Sequence, residues 1–196
     1  EEFKTTLDVP RFVLVNSDRP YDSAWRTTGE LHVQIDSIMF NSEIGTVVKP
    51  YILDNIYYTS RLVDVSYRPD SMKANHILIA YRGAFNAAPE TIRSKEQAQV
   101  LADSLLNEIK RKPAKLLELA STYSDDPSAK TNSGELAMFP DGMMVYNFNE
   151  AVVNNKKGAV VLAETPFGYH VIQVVDKKPD VKKVRVATIV RELIPS

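Results

Sequence analysis

The residues of this chain that could do chemistry are three histidines and one short acidic run. The histidines are His32, His76 and His170, and the acidic run is Ser-Asp-Asp at 124–126. A hydrolase that combined this run with His170 would need a nucleophile elbow or an oxyanion-hole motif, and the sequence has neither. The three histidines, in a chain without cysteine, form no recognised metal-ligand spacing. The sequence therefore predicts no metal site and no hydrolytic centre.

The elements that must position these residues are indicated by hydrophobic period and by turn residues. Strands are expected to be short and apolar, and helices to begin at capping residues. In chain order, the predicted elements are a buried strand at 73–81, a helix from a Ser94 and Gln97 capping box to about Arg111 with Ala98, Leu101, Leu105 and Ile109 inward, a helix that starts at Pro113 with Leu116, Leu117, Leu119 and Ala120 inward, a short helix near 147–153, and strands at 160–164 and 169–175 joined by a turn at 166–168. This order describes a small α+β domain.

Composition restricts the partners of the chain. Its 196 residues are 44% hydrophobic, enough to bury a core, and its net charge of -1 is spread among mixed charges. The chain has no basic field for nucleic acid or for an acidic membrane surface, so nucleic acid is not expected as a partner. No apolar run reaches the length of a membrane span, and EEFKTTLDVP at the start lacks a signal pattern. Since a first residue of Glu suggests a piece of a longer protein, membrane contact is expected only through parts outside this chain.

Four motifs in sequence order carry a resemblance. KANHILIAY at 73–81 is followed by YSDDPSAKTNSGELAMF from Tyr123, then by DGMMVYNFNEAV and by TPFGYHVIQV. Over about residues 71–178 the chain resembles a parvulin-type peptidyl-prolyl cis–trans isomerase domain of the PpiC and SurA kind. The resemblance implies a four-stranded antiparallel sheet with flanking helices, in which the first strand is central and pairs with the closing strand.

Prolyl isomerisation makes particular demands on a site. The barrier of about 18–20 kcal/mol comes from amide resonance, so the catalyst needs no cofactor and no nucleophile. It must favour the twisted amide, through an apolar pocket that keeps water off the imide nitrogen and through polar groups near the rotating carbonyl. The resemblance implies that the pocket consists of Leu136, Phe139, Met144, Phe148 and Phe167, and that the polar cluster consists of His76, Asp126, Thr165 and His170.

These residues also have plainer interpretations. Met144 and Phe148, four apart on a predicted helix, are typical of an ordinary core. His76 in an apolar strand is typical of a satisfied buried histidine; the resemblance implies that it hydrogen-bonds His170 and shapes the site without shuttling protons. Asp126 stands where some relatives carry a cysteine. Its carboxylate either lies beside the rotating carbonyl or only caps the turn that follows it.

The loop after the first predicted strand restricts the substrate. Phosphate-directed parvulins carry a basic cluster there, because a phosphorylated side chain needs Arg and Lys partners. Here the loop reads YRGAFNAAPETIR, with Arg82 and Arg93 only at its ends. We expect unphosphorylated Xaa-Pro bonds in unfolded or extended polypeptide as the substrate. The resemblance to envelope foldases implies a periplasmic or membrane-anchored protein. A non-catalytic chaperone or peptide-binding module on the same fold is the alternative.

The first third of the chain partly repeats this domain. SDRPYDSAWRTTGEL at 17–31 is similar to SDDPSAKTNSGEL at 124–136, and GTVV from Gly45 is similar to GAVV from Gly158. Residues from about 8 to 64 are therefore interpreted as a degenerate copy of the C-terminal half of the isomerase domain, in which Arg19 replaces Asp126 and Tyr58 replaces His170. Chance similarity of turn residues between two sheet-containing segments is the alternative.

The repeat predicts how the domains divide. The copy lacks an equivalent of the strand at 73–81, and a sheet without its central strand would expose unpaired backbone groups. KKVRVATIVREL at 182–193 alternates like a half-buried strand and is similar to KANHILIAY. The predicted domains are a degenerate subdomain at 1–64 completed by 180–196, a linker at 65–72, and an isomerase domain at 71–178 inserted between the two parts.

Overall fold

The computed structural model of the chain describes residues 1–192, which form two compact units. The central unit is Pro69–Pro179, and the split unit combines Glu1–Arg68 with the residues from Asp180 onward. No helix within the described residues is long and apolar enough to cross a bilayer. The elements are α1 Glu2–Thr5, α2 Val9–Asn16, α3 Val33–Asn41, β1 Tyr51–Leu53, β2 Ile56–Pro69, β3 Ser71–Ile79, α4 Lys95–Arg111, a 3-10 turn Pro113–Lys115, α5 Leu116–Tyr123, α6 Ala129–Asn132, β4 Phe139–Pro140, α7 Tyr146–Val153, β5 Val160–Thr165, β6 Gly168–Lys177 and β7 Asp180–Glu192.

The central unit is built on a four-stranded antiparallel sheet in the order β4-β3-β6-β5. Strand β3 is central and pairs with β6 from Met72 opposite Lys177 to Ile79 opposite Tyr169. Both faces of the sheet are covered by helices, so Met72, Ala74, Ile77 and Ile79 of β3 are buried although they point to different faces. The predicted α+β class, with its antiparallel sheet and flanking helices, is confirmed.

The helices α4 and α5 cover one face of this sheet. The Ser94 and Gln97 capping box forms both of its hydrogen bonds at the start of α4. The second helix does not start at Pro113, because the residues from Pro113 to Lys115 wind as a 3-10 turn and the α-helix begins only at Leu116. Leu101 and Leu117, which were expected inward, are only half-buried. The residues that α4 and α5 bury are Ala98, Ala102, Leu105, Ile109, Leu116, Leu119 and Ala120.

Two glycines, one in a loop and one at the start of β6, let the chain lie directly against β3. Gly134 has φ +80°, and its carbonyl accepts a hydrogen bond from the His76 N–H at 2.9 Å. A Cβ on Gly134 would lie 2.3 Å from the carbonyl oxygen of His76, and a Cβ on Gly168 would lie 2.3 Å from that of Ile79. Real Cβ atoms do not approach backbone so closely, so only glycine permits this packing.

The split unit has a three-stranded sheet in the order β1-β2-β7. The strand expected at 182–193 is present as β7 through Glu192, while residues 193–196 lie outside the described residues. From β7, Val184, Ala187 and Val190 are buried; Ala187 packs with residues of α1 and α2, and Val184 packs with residues of α3 and β2.

The expected linker at 65–72 is strand. β2 continues to Pro69 and β3 begins at Ser71, so only Asp70 lies between them. Pro69 and Asp70 suggested a loop, but a proline is tolerated at a strand end where no ladder donor is required.

Candidate active site

A cleft of about 460 Å³ opens on the central unit beside β3, β6 and α7. Seven of the nine predicted site residues line it. Phe139 and Thr165 do not, because both are buried behind the residues that do. The predicted residues on the cleft surface are His76, Asp126, Leu136, Met144, Phe148, Phe167 and His170.

The two histidines of the central unit form a pair on the floor of the cleft. His170 is opposite Leu78 in the β3–β6 ladder, so His76 and His170 are diagonal neighbours on one face. Their Nδ1 atoms are 3.2 Å apart, and their rings stack with centroids 5.4 Å apart and planes 13° apart. The expected hydrogen bond between the histidines is present.

Polar partners extend this pair at both ends. Thr165 Oγ1 lies 2.9 Å from Nε2 of His170, and Asp126 Oδ2 lies 3.0 Å from Nε2 of His76. The second contact departs from the line of the Nε2–H bond, which leaves that nitrogen without a well-aligned hydrogen bond, so the attraction there is chiefly electrostatic. The four side chains form one continuous row, and we call it the polar row.

The chemistry of these groups assigns a direction to the polar row. An ionised Asp126 can only accept, so Nε2 of His76 carries the hydrogen that faces it. Nδ1 of His76 then accepts from the Nδ1–H of His170, and Nε2 of His170 accepts from the hydroxyl of Thr165. Every donor points toward Asp126.

The charges of the polar row are fixed by its surroundings. Burial first, and then the neighbouring His76, lower the pKa of His170 from 6.5 to about 3. The contact with His76 and the hydrogen bonds from Ser128 lower the pKa of Asp126 below 3.8, against the opposing effect of burial. At neutral pH the site therefore combines a neutral His170 with a negative Asp126.

The carboxylate of Asp126 stabilises the turn at 126–128 and also faces the cleft. Its Oδ1 accepts from the backbone N–H and from the hydroxyl of Ser128, each at 2.9 Å. Its Oδ2 faces His76, and the side chain remains 24% exposed. The turn contact expected from sequence is therefore present on Oδ1, while Oδ2 faces His76.

The apolar part of the cleft is supported from below. Phe148 is edge-on to both histidines, with centroids 5.6 Å from His76 and 5.3 Å from His170. Phe139, 2% exposed, lies behind Phe148 with centroids 6.3 Å apart. Because Phe139 pairs with the fully buried Met72 across the β3–β4 ladder, it is part of the core and not of the expected substrate surface.

Sequence reasoning missed one wall of the cleft. Phe85, Ala87 and Ala88, in the loop between β3 and α4, line it, as do Met143 and Val145. Phe85 is 60% exposed, and its ring meets Phe167 edge-on at 5.2 Å. An aromatic residue among small residues, directly after the strand that carries a site histidine, was the available signal.

The cleft is suited to bond rotation. It presents apolar surface beside a fixed carboxylate, and within residues 1–192 no group of three His, Cys, Asp or Glu is placed to hold a metal ion. Apolar surface beside a carboxylate can act on a bound amide by desolvation and electrostatics.

Comparison with known proteins defines the class. The family model of the PPIC-type PPIASE domain matches residues 57–178, and the chain belongs to this family of peptidyl-prolyl isomerase domains. It is similar to Chaperone SurA of Pseudomonas putida, 26% identical over 163 residues that make up 80% of this chain and 36% of the relative. It is also similar to Foldase protein PrsA of Staphylococcus epidermidis, 28% identical over 149 residues, 76% of this chain and 44% of the relative.

A solved structure shares the fold. Peptidyl-prolyl isomerase ESS1 from Candida albicans superposes with a TM-score of 0.51 and 29% identity, over 55% of this chain and 63% of that chain. The present chain spans less than half the length of the two curated relatives. The resemblance to PpiC-type parvulins is confirmed.

Proposed function

We propose that the central unit is a peptidyl-prolyl cis–trans isomerase that acts on unphosphorylated Xaa-Pro bonds in unfolded or extended polypeptide, and that the protein serves as a foldase. The observation that carries this proposal is the placement of an apolar pocket against a buried polar row that ends in an ionised carboxylate. A proline ring suits Leu136, Met144 and Phe148, and the imide bond would then lie beside Asp126.

The pocket favours the twisted amide by excluding water. In the planar amide the nitrogen shares its lone pair with the carbonyl, and this sharing creates the barrier to rotation. The twisted nitrogen is less polar, so an apolar surface stabilises it relative to the planar form. Phe148 and the half-buried Met144 provide this surface.

The carboxylate acts on the other end of the bond. Resonance places partial negative charge on the carbonyl oxygen, and a nearby negative Asp126 disfavours that form. His76 keeps Asp126 ionised, while Thr165 and His170 fix the tautomer of His76. Because rotation transfers no proton, the histidines need only position the carboxylate.

A binding module without turnover is the second candidate. It is favoured by the name Chaperone SurA of one similar protein, since chaperone binding requires a cleft but no catalysis. Exchange NMR of short Xaa-Pro peptides with the chain distinguishes the two functions. We expect faster cis–trans exchange with unphosphorylated peptides; peptide binding at the uncatalysed exchange rate across a panel of preceding residues would leave only the binding module.

The proposal extends to location and clients. We place the full-length protein in the periplasm or cell envelope, where it would meet unfolded chains, with any membrane anchor in parts outside this chain. The resemblance to envelope foldases supports this. Fractionation of cells that express the full-length protein tests it.

We also propose that the split unit, residues 1–64 with 180–196, is a degenerate copy of the isomerase fold. Helices α2 and α5 have equal length, and each is followed by a serine whose hydroxyl accepts from a strand. Ser17 Oγ accepts from Val190 N–H at 3.1 Å, and Ser124 Oγ accepts from Leu78 N–H at 3.1 Å.

A second pair of equivalent bonds lies at the other end of the two sheets. Gly45 N–H donates to Leu62 O at 2.8 Å, and Gly158 N–H donates to Val174 O at 2.8 Å. The order β1-β2-β7 corresponds to β5-β6-β3, with β7 in the position of β3.

The split unit would then lack the catalytic chemistry. In this correspondence Arg19 stands for Asp126, Tyr58 for His170 and Thr188 for His76, so no polar row can form. In a chain that carries both Asp126→Asn and Met144→Ala, the rate of exchange is expected to fall by about the product of the two single losses. A residual rate that neither substitution lowers would mean that the split unit is itself a catalyst.

A further inference from the structure

The methionines of the chain divide into two groups by exposure. Met39 and Met72 are fully buried, one in each unit. Met138 is 41% exposed, Met143 is 68% exposed and Met144 is half-buried. These five are all the methionines of the chain, which has no cysteine. An oxidant in solution therefore reaches sulfur in the second group only.

Two of the accessible methionines lie in the cleft. Met143 and Met144 both line it, and Met144 packs against the apolar cluster that contains Phe148. Met138 precedes the buried Phe139 and lies outside the lining. The chain therefore presents to an oxidant two methionines inside the site and one outside it.

The segment that carries the pair in the cleft is fixed by a buried amide. Asn149, which is 3% exposed, accepts at Oδ1 from the Gly142 N–H at 2.7 Å and donates from Nδ2 to Asp141 Oδ1 at 2.8 Å. The backbone N–H of Met143 donates to Pro140 O at 3.2 Å. Because the backbone is held before the pair and enters α7 directly after it, a change at sulfur leaves both side chains in the cleft.

A peroxide oxidises methionine in a defined way. A lone pair of the thioether sulfur attacks one oxygen of hydrogen peroxide, and the O–O bond breaks to release hydroxide. The new S–OH group then gives its proton to the hydroxide, so the products are the sulfoxide and water. Sulfur is oxidised by two electrons and the peroxide is reduced by two. A flexible apolar side chain thereby becomes a polar one with a strong hydrogen-bond acceptor.

The polar row has no donor to spare for a sulfoxide in the pocket. The Nε2–H of His76 faces Asp126, and the Nδ1–H of His170 faces His76. The hydroxyl of Thr165 faces His170. Of the described residues that line the cleft outside the polar row, only Asn86, in the loop between β3 and α4, carries a side-chain N–H. The sulfoxide oxygen would therefore hold water in the pocket, where the twisted imide requires apolar surface.

We propose that Met144 is a reversible oxidation site, at which a peroxide forms the sulfoxide and lowers turnover until the sulfoxide is reduced. The effect on turnover rests on the isomerase function proposed above. Because Met39 and Met72 are shielded in the two cores, the oxidant changes the site and leaves the fold intact. Without cysteine, the chain has no thiol that would consume the peroxide first.

The experiment treats the whole chain with hydrogen peroxide, removes the peroxide with catalase and locates each sulfoxide by mass spectrometry of proteolytic fragments. We expect sulfoxide at Met138, Met143 and Met144, while Met39 and Met72 remain unmodified. Exchange NMR of the peptide Ala-Leu-Pro-Ala should show that kcat/KM falls by about tenfold or more, in proportion to the oxidised fraction of Met144. Methionine sulfoxide reductases should restore the rate.

Leucine variants assign the loss to one sulfur, because leucine keeps a similar apolar volume but cannot be oxidised. Each variant is compared with its own untreated rate. Met144→Leu should keep nearly all of its rate after peroxide treatment, whereas Met143→Leu and Met138→Leu should lose as much as the wild type. An excess of the peptide should slow oxidation of Met144 but not of Met138, since a bound proline covers only the first.

The outcomes separate the oxidation site from the isomerase function. Oxidation of Met144 without loss of rate, or equal losses in Met144→Leu and the wild type, would overturn the oxidation site and leave the isomerase function standing. Sulfoxide at Met144 only in step with Met72, or methyl NMR signals of Ile77 and Ile172 that shift on oxidation, would assign the loss to unfolding and overturn it also. No acceleration of exchange by the untreated chain would overturn both.

Discussion

Phe148 stands edge-on to His170, with ring centroids 5.3 Å apart and planes at 85°. The apolar pocket and the polar row therefore share a wall. A change at Phe148 would disturb both, so a variant that tests the pocket alone must leave this ring in place.

Met144→Ala tests the pocket in this way. Met144 is half-buried and lines the cleft, so its truncation removes apolar surface and admits water while the ring pair stays. We expect kcat/KM for Xaa-Pro exchange to fall by about tenfold, because the truncation removes part of the apolar contact between Met144 and the bound proline. Val100→Ala, on the exposed face of α4, is the control. Wild-type activity in Met144→Ala would place the proline elsewhere.

Two variants separate the charge of Asp126 from its turn. Asp126→Asn keeps an oxygen for Ser128 but removes the negative charge, whereas Asp126→Ala removes both. If the charge acts on the carbonyl, both variants should lose at least about tenfold in kcat with an intact fold. Full activity in Asp126→Asn with a loss only in Asp126→Ala would reduce the carboxylate to a turn cap.

The low pKa of His170 predicts acid sensitivity. The unfolded chain takes up a proton near pH 6.5, but folded His170 does so only near pH 3, so its contribution to stability is complete above pH 6.5 and is lost as the pH falls toward 3. The free energy of unfolding of the central unit should decline by up to about 1.4 kcal/mol per pH unit in this window. Asp126 adds to the loss below pH 3.8.

Urea unfolding at several pH values, followed by the methyl NMR signals of Ile77 and Ile172, checks this. Both side chains are fully buried in the central unit. His170→Gln should be less stable than the wild type at pH 7.5, because glutamine does not reproduce the contacts of the imidazole with His76 and Thr165. Its free energy of unfolding should, however, decline less steeply between pH 6.5 and 4. Parallel curves for the two proteins would show that His170 does not titrate as described.

Gly134→Ala tests the close packing that positions His76. The new methyl group would overlap the carbonyl oxygen of His76, whereas Gly142, with φ +91°, has no neighbour within 4 Å of its Cβ position. Gly142→Ala therefore carries only the cost of the left-handed backbone, about 1–2 kcal/mol. Gly134→Ala should cost at least about 2 kcal/mol more in urea unfolding and should shift the ring signals of His76 and His170. Equal costs for the two glycines would contradict the packing at β3.

Removal of residues 180–196 tests the dependence of the split unit on β7. The chain has one tryptophan, Trp25, which lies in the split unit with the guanidinium groups of Arg68 and Arg185 5.2 Å and 4.2 Å from its ring centroid. Without β7, Trp25 emission should shift to the red, because Val184, Ala187 and Val190 leave the core, while peptide exchange by the central unit persists. A chain that ends at Glu192 is the control and should keep native emission. Native Trp25 emission in the chain without residues 180–196, or loss of peptide exchange by that chain, would contradict the division into units.

Local patterns were sufficient for α4, α7 and the three longer strands of the central unit, but not for α6, for β4 or for the start of α5. The capping box at Ser94 and the alternation of residues around His76 involve only residues that are close in sequence. The sequence alone therefore predicts them. The pairing of His76 with His170 followed once the resemblance placed their strands side by side.

Other features depend on contacts between distant residues, and sequence reasoning missed them. Phe139 was expected on the substrate surface, but its pairing with Met72 makes it part of the core. The contribution of Phe85 to the cleft depends on a hydrogen bond to Pro166, and a loop has no period that would indicate it. At 65–72 the turn residues suggested a linker, although the strands continue on both sides of Asp70.

The position of β7 beside β2 has a consequence for synthesis of the chain. A ribosome makes the chain from its N-terminus, so all four strands of the central unit exist when Pro179 emerges, whereas the sheet of the split unit still lacks a strand. Throughout that interval the apolar side chains of Val13, Met39 and Leu62 have no complete core to enter. Contacts that join the two ends of a chain form slowly and leave surface open to aggregation. The residues of α2, α3 and β2 are therefore made before the central unit but complete their core after it.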